Sequence, residues 1–281
     1  MLRRRLPDLL GHRSAMAGVL IISVVIALGL LAPLLGGDPA RVDPANRLRP
    51  PSSEFLLGTD EMGRDLWTIL LYGARTSIGI AGVCTLLAII LGYLAGVLSG
   101  YFPAVDAVVM RIMDGLMSFP NIILVMALIG VIGNGIGAVV FGLTVVLVPP
   151  MARVVRSATL AARELPMVES AVSLGARTRW ILTKYVAPEA ISVVIVQATM
   201  AFSMTVLSIA ALSFLGIGLP PDVPSWGASL SSAQQYFNVA WWIGIFPGAA
   251  ILVTVLGLIL LGDGLRDVFD PRSSTVKAPV V

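Results

Sequence analysis

Charge is scarce in this 281-residue chain. Asp, Glu, Lys and Arg make up 12% of it, against roughly 25% in soluble domains, while hydrophobic residues make up 57% and mean hydropathy is +0.93. That balance excludes a soluble globular domain and marks an integral membrane protein. One cysteine and one histidine exclude a disulfide framework and a Cys/His zinc cluster. Cys84 reads as a small residue in an apolar run, and His12, beside Arg3, Arg4, Arg5 and Arg13, as part of a basic surface. The only lysines, Lys184 and Lys277, do not follow a glycine, so the G-x-x-x-x-G-K-[ST] phosphate cradle is missing. A net charge of +3 gives no nucleic-acid signature, because the basic residues flank apolar runs without an interleaved aromatic face. Residues 76–105, 115–152, 190–221 and 223–262 carry no charge at all. Ion-coupled carriers place ionisable groups near mid-membrane, so this argues against a proton relay and for an outside source of energy.

What the chain does have is apolar runs, and a bilayer core of about 30 Å needs about 20 helical residues. The first run, 15–35, is long for a signal peptide cut near Ala40 or Ala45 and reads as a retained span. Further spans are expected at 77–98, at 118–132, up to Pro149-Pro150, at 191–212 and at 243–261. Arginines cluster before the first span and after the fourth, whereas 216–240 has no Lys or Arg, which places both termini on the cytoplasmic side. The expected fold is an all-α polytopic membrane protein, with six transmembrane helices and a cytoplasmic helix between spans four and five. The expected division is a basic N-terminus, first span and start of an external segment (1–50), a five-helix core (51–272) and a cytoplasmic tail (273–281).

Smaller features follow. Arg111 and Asp114 are i, i+3 neighbours that can pair if their loop is helical. In the fifth span Gln197, Ala201, Met204 and Ser208 share one helix face, as candidate path-lining residues or as interhelical glue. Trp241 and Trp242 suit an interfacial belt.

The long charged segment between spans is 163–189, RELPMVESAVSLGARTRWILTKYVAPE. It predicts a short amphipathic helix through Leu174, ended or bent at Gly175, with Pro188 breaking the pattern before the next apolar run. Glu169, Ser170, Ala171, Gly175 and Pro188 resemble the E-A-A, three residues, G skeleton of permease subunits of ATP-binding-cassette importers, with Ser170 in the second position. Ahead of the second span, Leu57-Gly58-Thr59-Asp60 and Gly63-Arg64-Asp65 have turn and helix-capping chemistry. With Tyr72-Gly73-Ala74-Arg75 and Ser77 they resemble the dipeptide, oligopeptide and nickel branch of that family. So does Leu261-Gly262-Asp263-Gly264-Leu265-Arg266-Asp267 with Asp270-Pro271-Arg272, whose glycines are expected to stop the last helix.

The resemblance implies a transport subunit that is not itself an enzyme and holds no cofactor or metal, with ATP and Mg on partner subunits. It implies a second homologous permease, two ATP-binding subunits, an extracytoplasmic binding protein, and a plasma (inner) membrane location. The implied cargo is a short peptide, with nickel or another small solute as the alternative. An ion-coupled carrier or a non-transporting scaffold are the readings outside the family.

Overall fold

The computed structural model describes residues 13–269; the arginines at 3–5, His12 and everything from Asp270, including Pro271, Arg272 and Lys277, lie outside the described residues. In chain order the helices are α1 (Arg13–Leu30), α2 (Ala32–Leu35), α3 (Leu66–Tyr101), α4 (Pro103–Met117), α5 (Asn121–Ile132), α6 (Ile136–Arg163), α7 (Pro166–Ser173), α8 (Thr178–Ile181), α9 (Ala187–Phe214), α10 (Trp226–Tyr236) and α11 (Trp242–Phe269). Among the described residues, five stretches are long and apolar enough to cross a membrane: α1, α3, α6, the continuous run Thr178–Phe214, and α11. A sixth crossing exists only if α4 and α5, bent by 94° at their junction, count as one broken span.

Helices in lipid gain little by burying Leu against Leu, so they associate where small residues let backbones approach. On α3 the buried glycines Gly92, Gly96 and Gly100 lie four apart on one face. A Cβ on them would stand 2.6 Å from Met151 Cγ, 2.6 Å from the Ala152 carbonyl oxygen and 2.5 Å from Thr159 Cβ, all on α6. The same device seats α1 on α11, where a Cβ at Gly18 would stand 2.5 Å from the Leu261 nitrogen. Between these pairs runs α9, whose Val206, Ile209 and Leu212 share the main core with Cys84 of α3, Val139 of α6 and Leu258 of α11.

Several expectations about helix ends and pairing are overturned. The third span is not one helix over 118–132: Ser118 closes α4, Pro120 turns the chain, and α5 has only 12 residues, about 18 Å at 1.5 Å per residue. Pro149-Pro150 do not end the helix of the fourth span: α6 continues through the helix-favouring Ala/Arg stretch to Arg163. Gly262 and Gly264 do not stop α11 either. They are contact points, since a Cβ at Gly264 would strike Ala15 and one at Gly262 would stand 2.7 Å from Thr199 Oγ1. Finally, α4 is helical but Asp114 accepts from Arg153 Nη2 of α6 at 2.7 Å, so the expected Arg111 partner is replaced by a cation reaching across from α6.

The two adjacent tryptophans divide their roles. Trp242 is 4% exposed and its Nε1 donates to the Thr59 carbonyl at 3.0 Å, so it is structural and not a belt residue; Trp241 is 46% exposed. Trp242→Ala is expected to cost ~3–5 kcal/mol of stability, the range for a buried large aromatic, and Trp241→Ala under ~1 kcal/mol. Denaturant unfolding of the two variants in the same detergent checks this, and equal midpoints would contradict it.

Candidate functional site

The charged segment folds as expected of its pattern. Leu165 caps α7 with Pro166 in the first turn, where its missing N–H costs no bond. At the other end Gly175 takes φ +74°, the Ala176 N–H reaches the Ala171 carbonyl at 3.0 Å and the Gly175 N–H reaches that of Val172 at 2.9 Å, a paired closure that glycine makes without steric cost. Val168 and Ala171 bury themselves against Ala162, Ile181 and Val186, which fixes α7 to the end of α6. The opposite face is free: Met167, Glu169, Ser170 and Val172 are exposed, and Leu174 is 87% exposed. A Cβ at Gly175 would meet nothing within 4 Å, so the residue is required here by its backbone conformation.

Of the five residues singled out in this segment, Glu169, Ser170 and Gly175 lie on the open side, whereas Ala171 is a packing residue. Pro188 stands apart and, contrary to expectation, breaks nothing. It occupies the first turn of α9, and the preceding Leu182–Val186 is a π-helical turn whose wider hydrogen-bond ring accommodates the missing donor. Tyr93 Oη of α3 donates to the Ala187 carbonyl at 2.8 Å and anchors the junction.

Three arginines of α6 tie this end together. Arg156 donates two hydrogen bonds to Asp106 of α4, the Nη2 bond at 2.6 Å, and holds that carboxyl, beyond the charge-free stretch, below the usual carboxylate range. Arg153 pairs with Asp114. Arg163 Nη1 donates to the Gly100 carbonyl at 3.1 Å, with the guanidinium 5.3 Å from the Tyr101 ring centre.

At the opposite end of the bundle the Gly58–Asp65 motif forms a knot. The Asp60 carboxylate accepts from the Met62 and Arg64 N–H groups, both at 2.9 Å, and from Arg64 Nε at 2.6 Å. Thr59 Oγ1 donates to the Asn46 carbonyl at 2.6 Å and accepts from the Arg49 N–H at 2.8 Å. Gly58 and Gly63 have positive φ, and a Cβ at Gly63 would overlap the Asp43 carbonyl oxygen. Asp65 caps α3, its Oδ2 accepting from the Thr68 N–H at 3.0 Å. All six motif residues are thus used in one loop closure.

Beside the knot lies a partly open cavity of about 270 Å³, closed on the far side by the Gly216–Ser225 loop and α10. The sequence reading missed α10, although Ser225, whose Oγ accepts from the Ala228 N–H at 3.2 Å, is a typical cap residue. It also passed over Glu61, whose Oε1 accepts from Ser232 Oγ at 2.9 Å.

The candidate path residues are only partly brought together. Met204 and Ser208 line a small cavity of about 40 Å³ with Asn121 of α5, and Gln197, earlier on α9, does not border it. Ser208 Oγ donates to the Met204 carbonyl at 2.8 Å, and Met204 is 63% exposed.

A family model described as "Binding-protein-dependent transport system inner membrane component" matches residues 88–275. A Brucella abortus permease named for a peptide transport system is 40% identical over 265 residues, covering 94% of this chain and 90% of that protein. The dipeptide transport system permease protein DppC of Alkalihalophilus pseudofirmus is 36% identical, covering 96% of this chain and 90% of its own length. The glutathione transport system permease protein GsiD of Pectobacterium atrosepticum is 38% identical, over 92% and 87%. Among solved structures, an inward-facing form of the MetNI methionine ABC transporter (CY5 SeMet soak crystal form) superposes with a TM-score of 0.58 at 23% identity, covering 71% of this chain and 96% of that one, a likeness of fold.

Asp60→Asn would turn one acceptor oxygen into a donor facing N–H groups. The expected cost is about 2–3 kcal/mol for a hydrogen-bonded charged group, concentrated in residues 38–65. Limited proteolysis checks it: cleavage there should accelerate while cleavage in 163–189 stays as in the unaltered protein.

Proposed function

Since the chain belongs to the family of binding-protein-dependent transport system inner membrane components, we propose that it forms half of the path by which an ATP-driven importer carries short peptides through the inner membrane. The cargo class is supported by relatives named for peptide, dipeptide and glutathione transport, each aligned over at least 92% of this chain. The proposed assembly adds a second permease, two ATP-binding subunits that hold ATP and Mg, and an extracytoplasmic binding protein. Both termini would lie in the cytoplasm on the side of α7, with the Gly58–Asp65 knot facing the binding protein.

The observation that carries the mechanism is α7: a helix packed on one face, open on the other, attached directly to the end of a membrane span. Its exposed Met167, Val172 and Leu174 form an apolar surface that water does not favour, and the free Glu169 offers a charge to a polar or basic partner. Seated in a groove of an ATP-binding subunit, α7 would move when the two ATPases close. Val168 and Ala171 would pass that motion to α6, and the Arg156–Asp106 and Arg153–Asp114 pairs would pass it to α4 and the short α5. The helices lining the path then tilt, opening it to one side and then the other.

Glu169→Lys and Gly175→Val are each expected to lower dipeptide uptake at least roughly tenfold, a change of about 1.4 kcal/mol, with normal amounts of the chain in the membrane. Valine at φ +74° is strained and deforms the α7 end even where space is open. Uptake in cells alongside membrane quantitation, and recovery of ATPase subunits with the tagged chain in mild detergent, test the coupling. Full uptake in both variants would remove the role of α7.

A further inference from the structure

We propose that the cavity beside the knot is a site for the protonated amino group of the cargo, received by Glu61 Oε2 and Ser213 Oγ. The proposal rests on the reading of the chain as a peptide permease and adds what part of the peptide is recognised, and where.

Both residues line the cavity, and both oxygens are buried without a hydrogen-bond partner. Ser213, near the end of α9, is only 6% exposed, and Glu61 is held by the bond from Ser232 to its other oxygen. A buried carboxylate oxygen without donors carries a desolvation cost that an ammonium group would remove, with a charge-assisted hydrogen bond in return. The Ser213 hydroxyl, on the wall of the same cavity, has a free lone pair with which to accept a second N–H.

The charges around the cavity agree. Its walls carry Asp60, Glu61 and Arg64. Asp60 and Arg64 neutralise one another through their 2.6 Å contact, which leaves Glu61 uncompensated and the cavity with one net negative charge. The wall formed by the Gly216–Ser225 loop and α10 has no Lys or Arg to fill that role. An anionic ligand is therefore disfavoured and a cation favoured. The volume, about 270 Å³, is just below the ~300 Å³ where small-molecule sites begin, which suits an amino group with the first residue of a peptide and not a long chain. Met62, Leu219, Val223 and Ile243 supply apolar wall for the adjoining side chain.

The test uses the chain with the subunits that co-purify with it, in lipid nanodiscs without the binding protein, titrated calorimetrically with Ala-Ala, N-acetyl-Ala-Ala and propylamine. Ala-Ala is expected to bind, and N-acetyl-Ala-Ala, which lacks the ammonium, to bind at least about tenfold more weakly. Glu61→Gln, which retains the acceptor for Ser232, should weaken Ala-Ala about tenfold or more and leave N-acetyl-Ala-Ala unchanged; Ser213→Ala should act in the same direction by a smaller factor. Unchanged size-exclusion profiles of both variants separate loss of the site from loss of fold. Equal Ala-Ala affinity with and without Glu61, or binding of neither Ala-Ala nor propylamine to the unaltered assembly, would each overturn the proposal. Dipeptide uptake retained in cells alongside any of these would leave the peptide reading standing. Glu61-dependent propylamine binding without Ala-Ala binding or uptake would retain the amine site and remove the peptide reading instead.

Discussion

The contact on which the rest of the structure depends is the approach of α3 to α6 across Gly92, Gly96 and Gly100. In lipid there is no water to expel from between two apolar helices, so attraction must come from packing at short range. Three side chains are missing from one face of α3 for that reason, and the backbones meet along that face. The 36 residues of α3 extend about 54 Å at 1.5 Å each. Asp65 caps one end of this rod inside the knot, and at the other end the carbonyl of Gly100 receives Arg163. The two functional ends of the molecule are therefore joined by one stiff element and its partner, and α6 carries α7 at its tip.

The ion pairs at the α7 end serve a different purpose from that glycine contact. Asp114 and Arg153 keep side-chain exposures of 60% and 52%, and such pairs contribute on the order of 0–1 kcal/mol. Asp106 and Arg156, at 25% and 32%, have a better two-point geometry but remain open to water. Pairs of this strength orient α4 against α6 without locking it. Elements that must reposition in a transport cycle are suited to contacts that re-form cheaply, while the α3–α6 core, where a single added Cβ would collide, is suited to staying intact.

What the sequence disclosed and what it withheld follow one physical division. Apolar runs and charge asymmetry located α1, α3, α6, α9 and α11, because length and hydropathy are local properties. The amphipathic α7 and its glycine end were legible for the same reason. The cross-chain facts were not: that Trp242 would reach Thr59 and Arg153 reach Asp114 depends on which helices become neighbours. Local turn chemistry marked Gly58–Asp65, but only the fold shows that Asn46 and Arg49 complete the knot. Two signals were present and passed over. The four-residue spacing of Gly92, Gly96 and Gly100 announces a close helix contact, and Ser225 announces α10. Pro149-Pro150 and Gly262 misled because breaker rules are read from the residue alone, whereas the stretch after Pro150 favours helix and Gly262 is a contact point with Thr199.

The charge-free spans also decide where cargo can be discriminated. With no Asp, Glu, Lys or Arg in 115–152, 190–221 or 223–262, this chain offers a path no charged side chain at mid-membrane, only shape and apolarity. A peptide nevertheless carries charge at its ends, and moving it through a low-dielectric path without compensation is costly. On this chain, charged groups able to meet those ends lie outside the charge-free stretches. Glu61, just ahead of the α3 rod, shares its cavity with Ser213 near the end of α9, so that binding there would bear on the same helices that α7 would move from the other side under the proposed function. Under the proposed function, cargo and ATPase would act on one α3–α6 core from opposite ends, and an opening that neither end produces alone would become available when both are engaged.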